Sequence, residues 1–561
     1  MSAKKLKLGA FILMILTSVF GVTNIGIGFY RMGYAAIPMF VIGGLFFFIP
    51  FILMMIEFGT GFRKEAGGIF TWMRHSVSTR FAFIGLTMWF ASYVIWMFGK
   101  ALSMWVPLSF MLFGRDITVI PVTLGTGVDF GPFILGVVAI ALVATVTKLI
   151  TLGSARFAKV AAIGGLSVVA LNVLLLVGGV FTFAVSGMTL QEPLTQASLA
   201  ASPNAAFNDI IPFLGFMVFA IFAYGGVEAM AGVADELEDP ERDLKRGIFL
   251  SGAFIVLCYI IGFLAVGSIM RWSDFPAEGI TSLSALFIIM LELGRHLGGE
   301  WLGQVFMRFA GLGMFLSYLG AFIALSYAPL RQFITGTPSY FWPERFQREN
   351  ENGVRIEALK VQAWVVCLFI AAKSIFTLIN PEGAAALYEL IITMTNVGMT
   401  LPYMFLIYAW YRYRNNPALG KDLIFFKSAG SVLLATIISL ILVAFGNVFT
   451  VVAPLYLRRY LHRRLDHHWP AAVRGDRHAL QDKAGRCPLN GKQCAMPIGT
   501  VLVPIFLALA SARHHGQPIV SMQKKTPWRP LLRSPRRQSA LNAVNYQYQG
   551  ENDCEAPVHD I

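Results

Sequence analysis

Apolar stretches of about 20 residues, each long enough for a helix to cross a ~30 Å hydrocarbon layer, recur along the chain between short polar connections. Read with their aromatic, proline and glycine punctuation, they predict eleven helices, near residues 9–32, 36–60, 81–112, 131–149, 158–185, 208–231, 247–271, 301–335, 358–379, 385–411 and 429–450. The implied class is an all-α polytopic membrane protein. The basic residues gather in every second connection: Lys4, Lys5 and Lys7; Arg63, Lys64, Arg74 and Arg80; Arg242, Lys245 and Arg246; Arg331, Arg345, Arg348 and Arg355; Arg412, Arg414, Lys421 and Lys427. The opposite connections hold few, such as Arg31, Arg115 and Arg271, so the positive-inside rule places the N-terminus in the cytoplasm. The opening "MSAKKLKLGAFILMILTSVFG" has the basic start and apolar stretch of a signal peptide. It lacks a small-x-small cleavage site and runs straight into further spans, which makes it an uncleaved first helix.

Composition narrows the function classes. The 561 residues are 56% hydrophobic with a formal charge of +14. In a soluble protein that charge would suggest nucleic acid; here it sits in loops and orients the chain, and no nucleic-acid partner is expected. Cys258 and Cys367 fall inside apolar spans while Cys487, Cys494 and Cys554 lie in a polar tail, with no CxxC or Cys/His metal spacing, so neither a disulfide framework nor a metal site is supported. No GxSxG, HExxH or Walker sequence occurs, and His75 and His296, the histidines of the first 454 residues, have no visible partners. An enzyme, a cofactor and ATP-driven pumping are therefore not expected.

Two spans carry glycines where a helix least tolerates them. The first reads "TSVFGVTNIGIGFYRMG", with Gly21, Gly26 and Gly28 around Thr23 and Asn24; the sixth reads "FAIFAYGGVEAM", with Gly225 and Gly226 beside Tyr224 and Glu228. Each glycine costs a helix roughly 1 kcal/mol against alanine, and in lipid the released backbone must still find partners. Close helix packing explains either cluster taken alone. Two clusters at corresponding places of two five-helix repeats favour a midplane transport site, where free helix N-termini meet anions and free carbonyls meet cations.

Ionisable groups inside spans need reasons, since each costs at least ~2.5 kcal/mol near the bilayer centre. Glu228 follows the second break directly and is a candidate for gating or proton coupling, against a capping role for freed backbone groups. Lys159, in "SARFAKVAAIGG", is either functional or a positive-inside anchor. Lys100 and Lys373 fall nearer the outer ends of their spans, where long side chains snorkel. Tyr318, with Ser317, either lines a path on the eighth helix or packs, and Asn396 reads as a buried hydrogen-bonding residue.

On these residues the chain resembles the amino acid-polyamine-organocation transporter family, near its glutamate/GABA antiporter branch. "EFGTGFRKEAGGIFTWM" resembles the family's acidic residue, polar linker and Ala-Gly-Gly-aromatic signature, carried by Glu57, Ala66, Gly67, Gly68 and Phe70. The sixth span resembles its aromatic-Ala-Tyr-Gly-x-x-Glu stretch, and "DELEDPERDLKRGI" the loop after it, with Asp239 where Asn is usual and Lys245 where a proline is common. The resemblance covers about residues 5 to 450. It implies a leucine-transporter-type fold, a 5+5 inverted repeat with broken helices 1 and 6 and two further helices. It also implies an amino acid between the breaks: amides of Gly21, Val22, Thr23, Asn24 and Gly26 toward its carboxylate, carbonyls of Ile221, Phe222 and Tyr224, beside Gly225, toward its ammonium, and the Phe222 ring over it. Lys159 resembles the lysine that replaces a bound sodium ion in sodium-independent relatives.

After "AFGNVFTVVAP" the chain changes character at about Leu455. Residues 455–561 hold sixteen of the forty-five Lys and Arg, seven of nine His and three of five Cys. A twelfth helix is missing or replaced, because "MPIGTVLVPIFLALA" is short and carries two prolines. The expected division is a transporter domain over 1–454 and a basic, low-order tail over 455–561, arising from a shifted reading frame or as a natural extension. The leading function is secondary active transport of an amino acid or similar metabolite across a bacterial inner membrane, by antiport or proton symport. A sensor that binds without moving its ligand, and a polyamine or organocation carrier, are the alternatives. The expected partners are the small-molecule substrate, the bilayer and, in a homodimer, a second copy.

Overall fold

A computed structural model of the protein describes residues 20–62, 68–123, 125, 128–151, 155–225, 240–276 and 281–468, the side chains of 155–162, 240–251, 381–394 and 453–468 excepted. All of these lie in the first of two compact units, residues 1–486. Among the described residues the regular structure is helical: α1 (Val22–Met32), α2 (Ala36–Gly43), α3 (Ile49–Gly61), α4 (Gly68–Ser76), α5 (Thr79–Ser103), α6 (Trp105–Phe113), α7 (Gly131–Thr151), α8 (Ala155–Val185), α9 (Ile210–Phe222), α10 (Pro240–Ile269), α11 (Ala285–Thr335), α12 (Ile356–Ile379), α13 (Pro381–Arg414) and α14 (Ala429–His468). A 3₁₀ turn links α1 to α2, and a π-helical turn, Gly44–Phe48, links α2 to α3. Eight stretches among the described residues are long and apolar enough to cross a bilayer, and α9 is a shorter apolar helix. That is what a chain must do in lipid, where only internal hydrogen bonding satisfies the backbone.

Among the described residues each expected span is met by helix, with two differences. The run assigned to α11 is two helices, because Gly298 and Gly299 leave helical geometry and Gly299 takes a φ of 77°, which suits glycine. Arg295 bridges Glu292 and Glu300 across this bend, and the helix over 285–297 is one the span pattern did not predict. Second, α14 continues through His468, so the expected boundary at Leu455 falls inside a helix. The segment "LYLRRYLHRRLDHH" consists largely of good helix formers, Leu and Arg, which accounts for its continuation. Residues 469–561 lie outside the described residues.

Close approach of backbones organises the packing. Against α14, α9 rests through Gly215, whose carbonyl accepts from Thr450, and Gly446, where an added Cβ would come within 3.2 Å of the Val218 amide. Glu57 near the end of α3 is fully buried and binds α3 to α13 and the loop that follows. It accepts from Trp410 Nε1 at 2.9 Å and from the Phe425 and Phe426 amides, and pairs with Arg414 at 3.3 Å. A buried carboxylate is tolerated when several donors and a cation surround it. The acidic residue of the second-span signature therefore has a structural role as an anchor.

Candidate functional site

Helix α1 starts at a glycine singled out in the first span, whose residues before Phe20 lie outside those described. Gly21 stands in extended conformation as the residue before α1, and no side chain caps the helix. The early amides of a helix have no intrahelical acceptors, and with the dipole they make α1's start a seat for negative charge. Helix α9 closes with a turn over Ala223, Tyr224 and Gly225, whose amides donate to Phe219, Ile221 and Phe222 carbonyls. A helix C-terminus leaves carbonyl oxygens that attract cations.

One side chain from α10 joins these two helix ends. Tyr259 Oη accepts from Gly21 N–H at 3.5 Å and from Asn24 Nδ2 at 3.1 Å, and donates to the Ala223 carbonyl at 3.1 Å. The ring is fully buried, held edge-on by Phe20 and Tyr224 and tilted against Phe40. Asn172 on α8 adds a weaker tie, donating to the Phe20 carbonyl at 3.4 Å.

The same α9 turn borders a cavity of about 150 Å³. A cavity of ~150 Å³ holds one molecule the size of benzene. Phe222 and Gly225 form one wall, Trp89, Tyr93 and Trp96 of α5 another, and Leu325, Met399 and Tyr403 of α11 and α13 the rest. Gly225 is required here, because a Cβ on it would lie 2.5 Å from the Tyr403 hydroxyl. A second cavity, of about 140 Å³ and almost wholly apolar, lies behind Phe20 between α8 and α10.

The residues singled out in the sequence divide. Phe222 and Gly225 line the aromatic cavity; Gly21 and Asn24 meet Ala223 through Tyr259. Val22 and Ile221 are buried in packing. Thr23 is half-buried in the first turn of α1. Gly26 lets α1 approach the Leu286 backbone, where an added Cβ would come within 3.1 Å, as the packing alternative has it. Tyr224 turns its side chain away from the cavity, stacking on Phe48 and donating to the Phe40 carbonyl at 2.8 Å just before the π-helical turn. Glu228 lies outside the described residues, as does the side chain of Lys159, which sits on α8. Lys100 sets its Nζ 3.7 Å from the Tyr318 ring centroid. Such a contact is worth up to ~2 kcal/mol when desolvated.

Sequence reading missed Tyr259 and the aromatic wall. The wall had a signal, since Trp89, Tyr93 and Trp96 recur at helical spacing. Tyr259 had none, being one tyrosine in an apolar span whose partners lie more than 30 residues away.

Comparison with known proteins follows this geometry. The family model described as amino acid permease matches residues 6–464. The chain belongs to this family. It is similar to the inner membrane transporter YjeM of Escherichia coli, at 38% identity over 462 residues, 81% of this chain and 90% of that one. It is more distantly similar to a glutamate/gamma-aminobutyrate antiporter of Lactococcus lactis, at 23% identity over 59% of this chain and 61% of that one. Among solved structures, MhsT in complex with L-phenylalanine is similar at 12% identity and a TM-score of 0.49, over 79% of this chain and 98% of that one. The sequence-level family assignment holds, and the described residues are helical, as expected of an all-α membrane protein. Membership makes the protein a multi-pass membrane transporter of amino-acid-like substrates.

Proposed function

We propose that the protein carries an α-amino acid across the inner membrane by alternating access, as an antiporter or a proton symporter, with the N-terminus in the cytoplasm. The observation that carries this reading is the meeting of the start of α1 and the end of α9 at Tyr259 beside an aromatic cavity. The start of α1 suits a carboxylate and the end of α9 suits an ammonium. Phe222, Trp89, Tyr93 and Trp96 would enclose the side chain, and rocking of one helix set against the other would open the cavity to either side in turn. Glu228 and Lys159 are proposed for coupling. A lysine beside the aromatic wall weighs against a polyamine as cargo.

Purified protein in liposomes loaded with single amino acids, then challenged with labelled ones, tests the proposal. Saturable entry that depends on the internal amino acid or on a proton gradient is the expected result. Binding without entry would make the protein a sensor.

A further inference from the structure

We propose that the substrate's side chain is anionic and that Lys100 reads its carboxylate. The inference rests on the amino-acid reading given above and specifies the substrate class of that same site. Trp89, Tyr93, Trp96 and Lys100 succeed one another along α5 at i, i+4, i+7 and i+11, which at 3.6 residues per turn is one stripe of the helix. The first three line the cavity. Helical Cα–Cβ bonds tilt toward the N-terminus, so the stem of Lys100 leans toward Trp96 and the cavity. From the facing helix α11, Leu325 lines the cavity and Tyr318, seven residues earlier and on the same face, offers its ring to the ammonium. Lys100 Nζ stands 3.7 Å from the Tyr318 ring centroid and 5.9 Å from that of Trp96, itself part of the wall.

Two rings are a weak counterweight for a cation between membrane helices. Among the described residues no carboxylate lies within the 4.0 Å of an ion pair with Lys100. The rings only partly offset the charge of this ammonium, one turn beyond an aromatic cavity that the end of α9 also borders. An amino acid seated by its α-ammonium and α-carboxylate at the breaks would project its side chain along the α5 stripe, and a terminal carboxylate there completes the pairing. An isosteric amide leaves the cation as it was, and a cationic side chain is repelled.

The test is uptake of labelled glutamate, aspartate, glutamine, asparagine and leucine by the full chain in liposomes, with wild type, Lys100→Gln and Lys100→Arg. In the wild type, kcat/KM for at least one acid should exceed that of its isosteric amide by about tenfold or more. Lys100→Gln should erase the preference by losing the acid while amide entry persists, and Lys100→Arg should keep part of it. An unchanged preference in Lys100→Gln overturns the inference. If neutral amino acids enter the wild type and acids do not, the inference fails and the amino-acid site stands; if none enters, both fall. Should Lys100→Gln not insert, thermal stabilisation of the wild type in detergent by glutamate against glutamine decides, equal shifts overturning the inference.

Discussion

Tyr259 Oη lies 3.1 Å from the Ala223 carbonyl oxygen and donates to it, so a hydroxyl from α10 reaches the broken end of α9. The same oxygen accepts from Asn24 on α1. One phenol thus bonds to both helix ends and helps to set their spacing.

Tyr259→Phe keeps the ring in its aromatic nest and removes the hydroxyl. Each buried polar group left without a partner costs about 1–3 kcal/mol, and here the loss falls on the breaks themselves. Uptake at saturating substrate should fall by about tenfold or more while the protein inserts normally. Kinetics in liposomes alongside thermal melting in detergent would check this; a large melting loss with unaltered turnover per folded molecule would assign Tyr259 to stability alone.

Gly225 and the Tyr403 hydroxyl leave no room for a methyl group between them. Gly225→Ala should therefore sharply reduce transport by pushing Tyr403 out of the cavity wall. Because the clash is with the hydroxyl oxygen, Gly225→Ala combined with Tyr403→Phe should recover part of the activity, which measured uptake of the double variant would show.

Phe222 borders the cavity and its α9 neighbours do not, which fits an aromatic cover over the bound molecule. Phe222→Ala should raise KM about tenfold or more, in keeping with the ~3–5 kcal/mol that a truncated buried aromatic can cost, with membrane insertion unchanged. Unaltered kinetics would count against that role.

Much of this was legible in advance, for physical reasons that differ by element. Spans are readable because each must be apolar over a fixed length, so α5, α7, α10 and α12 stand out locally. The start of α1 was readable because Gly21, Thr23 and Asn24 oppose a continuous lipid-spanning helix. The end of α9 was readable in the glycine pair that starts at Gly225. What Gly26 and Tyr224 do was not, since one packs on Leu286 and the other on Phe48, contacts that only folding brings together. Nor was the helix over 285–297, whose existence depends on a reversal at Gly299 that a span-length reading does not detect.

Glu57 shows a charge whose role is anchoring. Removing one partner of a buried charged network typically costs about 3–5 kcal/mol, because the remaining charge is left uncompensated. Glu57→Ala should lower the melting temperature markedly, with Arg414 stranded at 8% side-chain exposure. Glu57→Gln, which keeps one acceptor oxygen for the Phe425 and Phe426 amides while its NH2 faces Trp410, should lose less. Fluorescence-detected size exclusion after heating separates the two variants from wild type.

Hydrogen–deuterium exchange at the two breaks bears most directly on the claim that they bind an amino acid by its two ends. With the transported amino acid bound, peptides spanning 20–24 and 222–225 should both slow their exchange, while the same compound with its amino group acetylated or its carboxylate amidated should protect neither. Protection of neither segment by the transported compound, or equal protection by the blocked ones, would contradict the account.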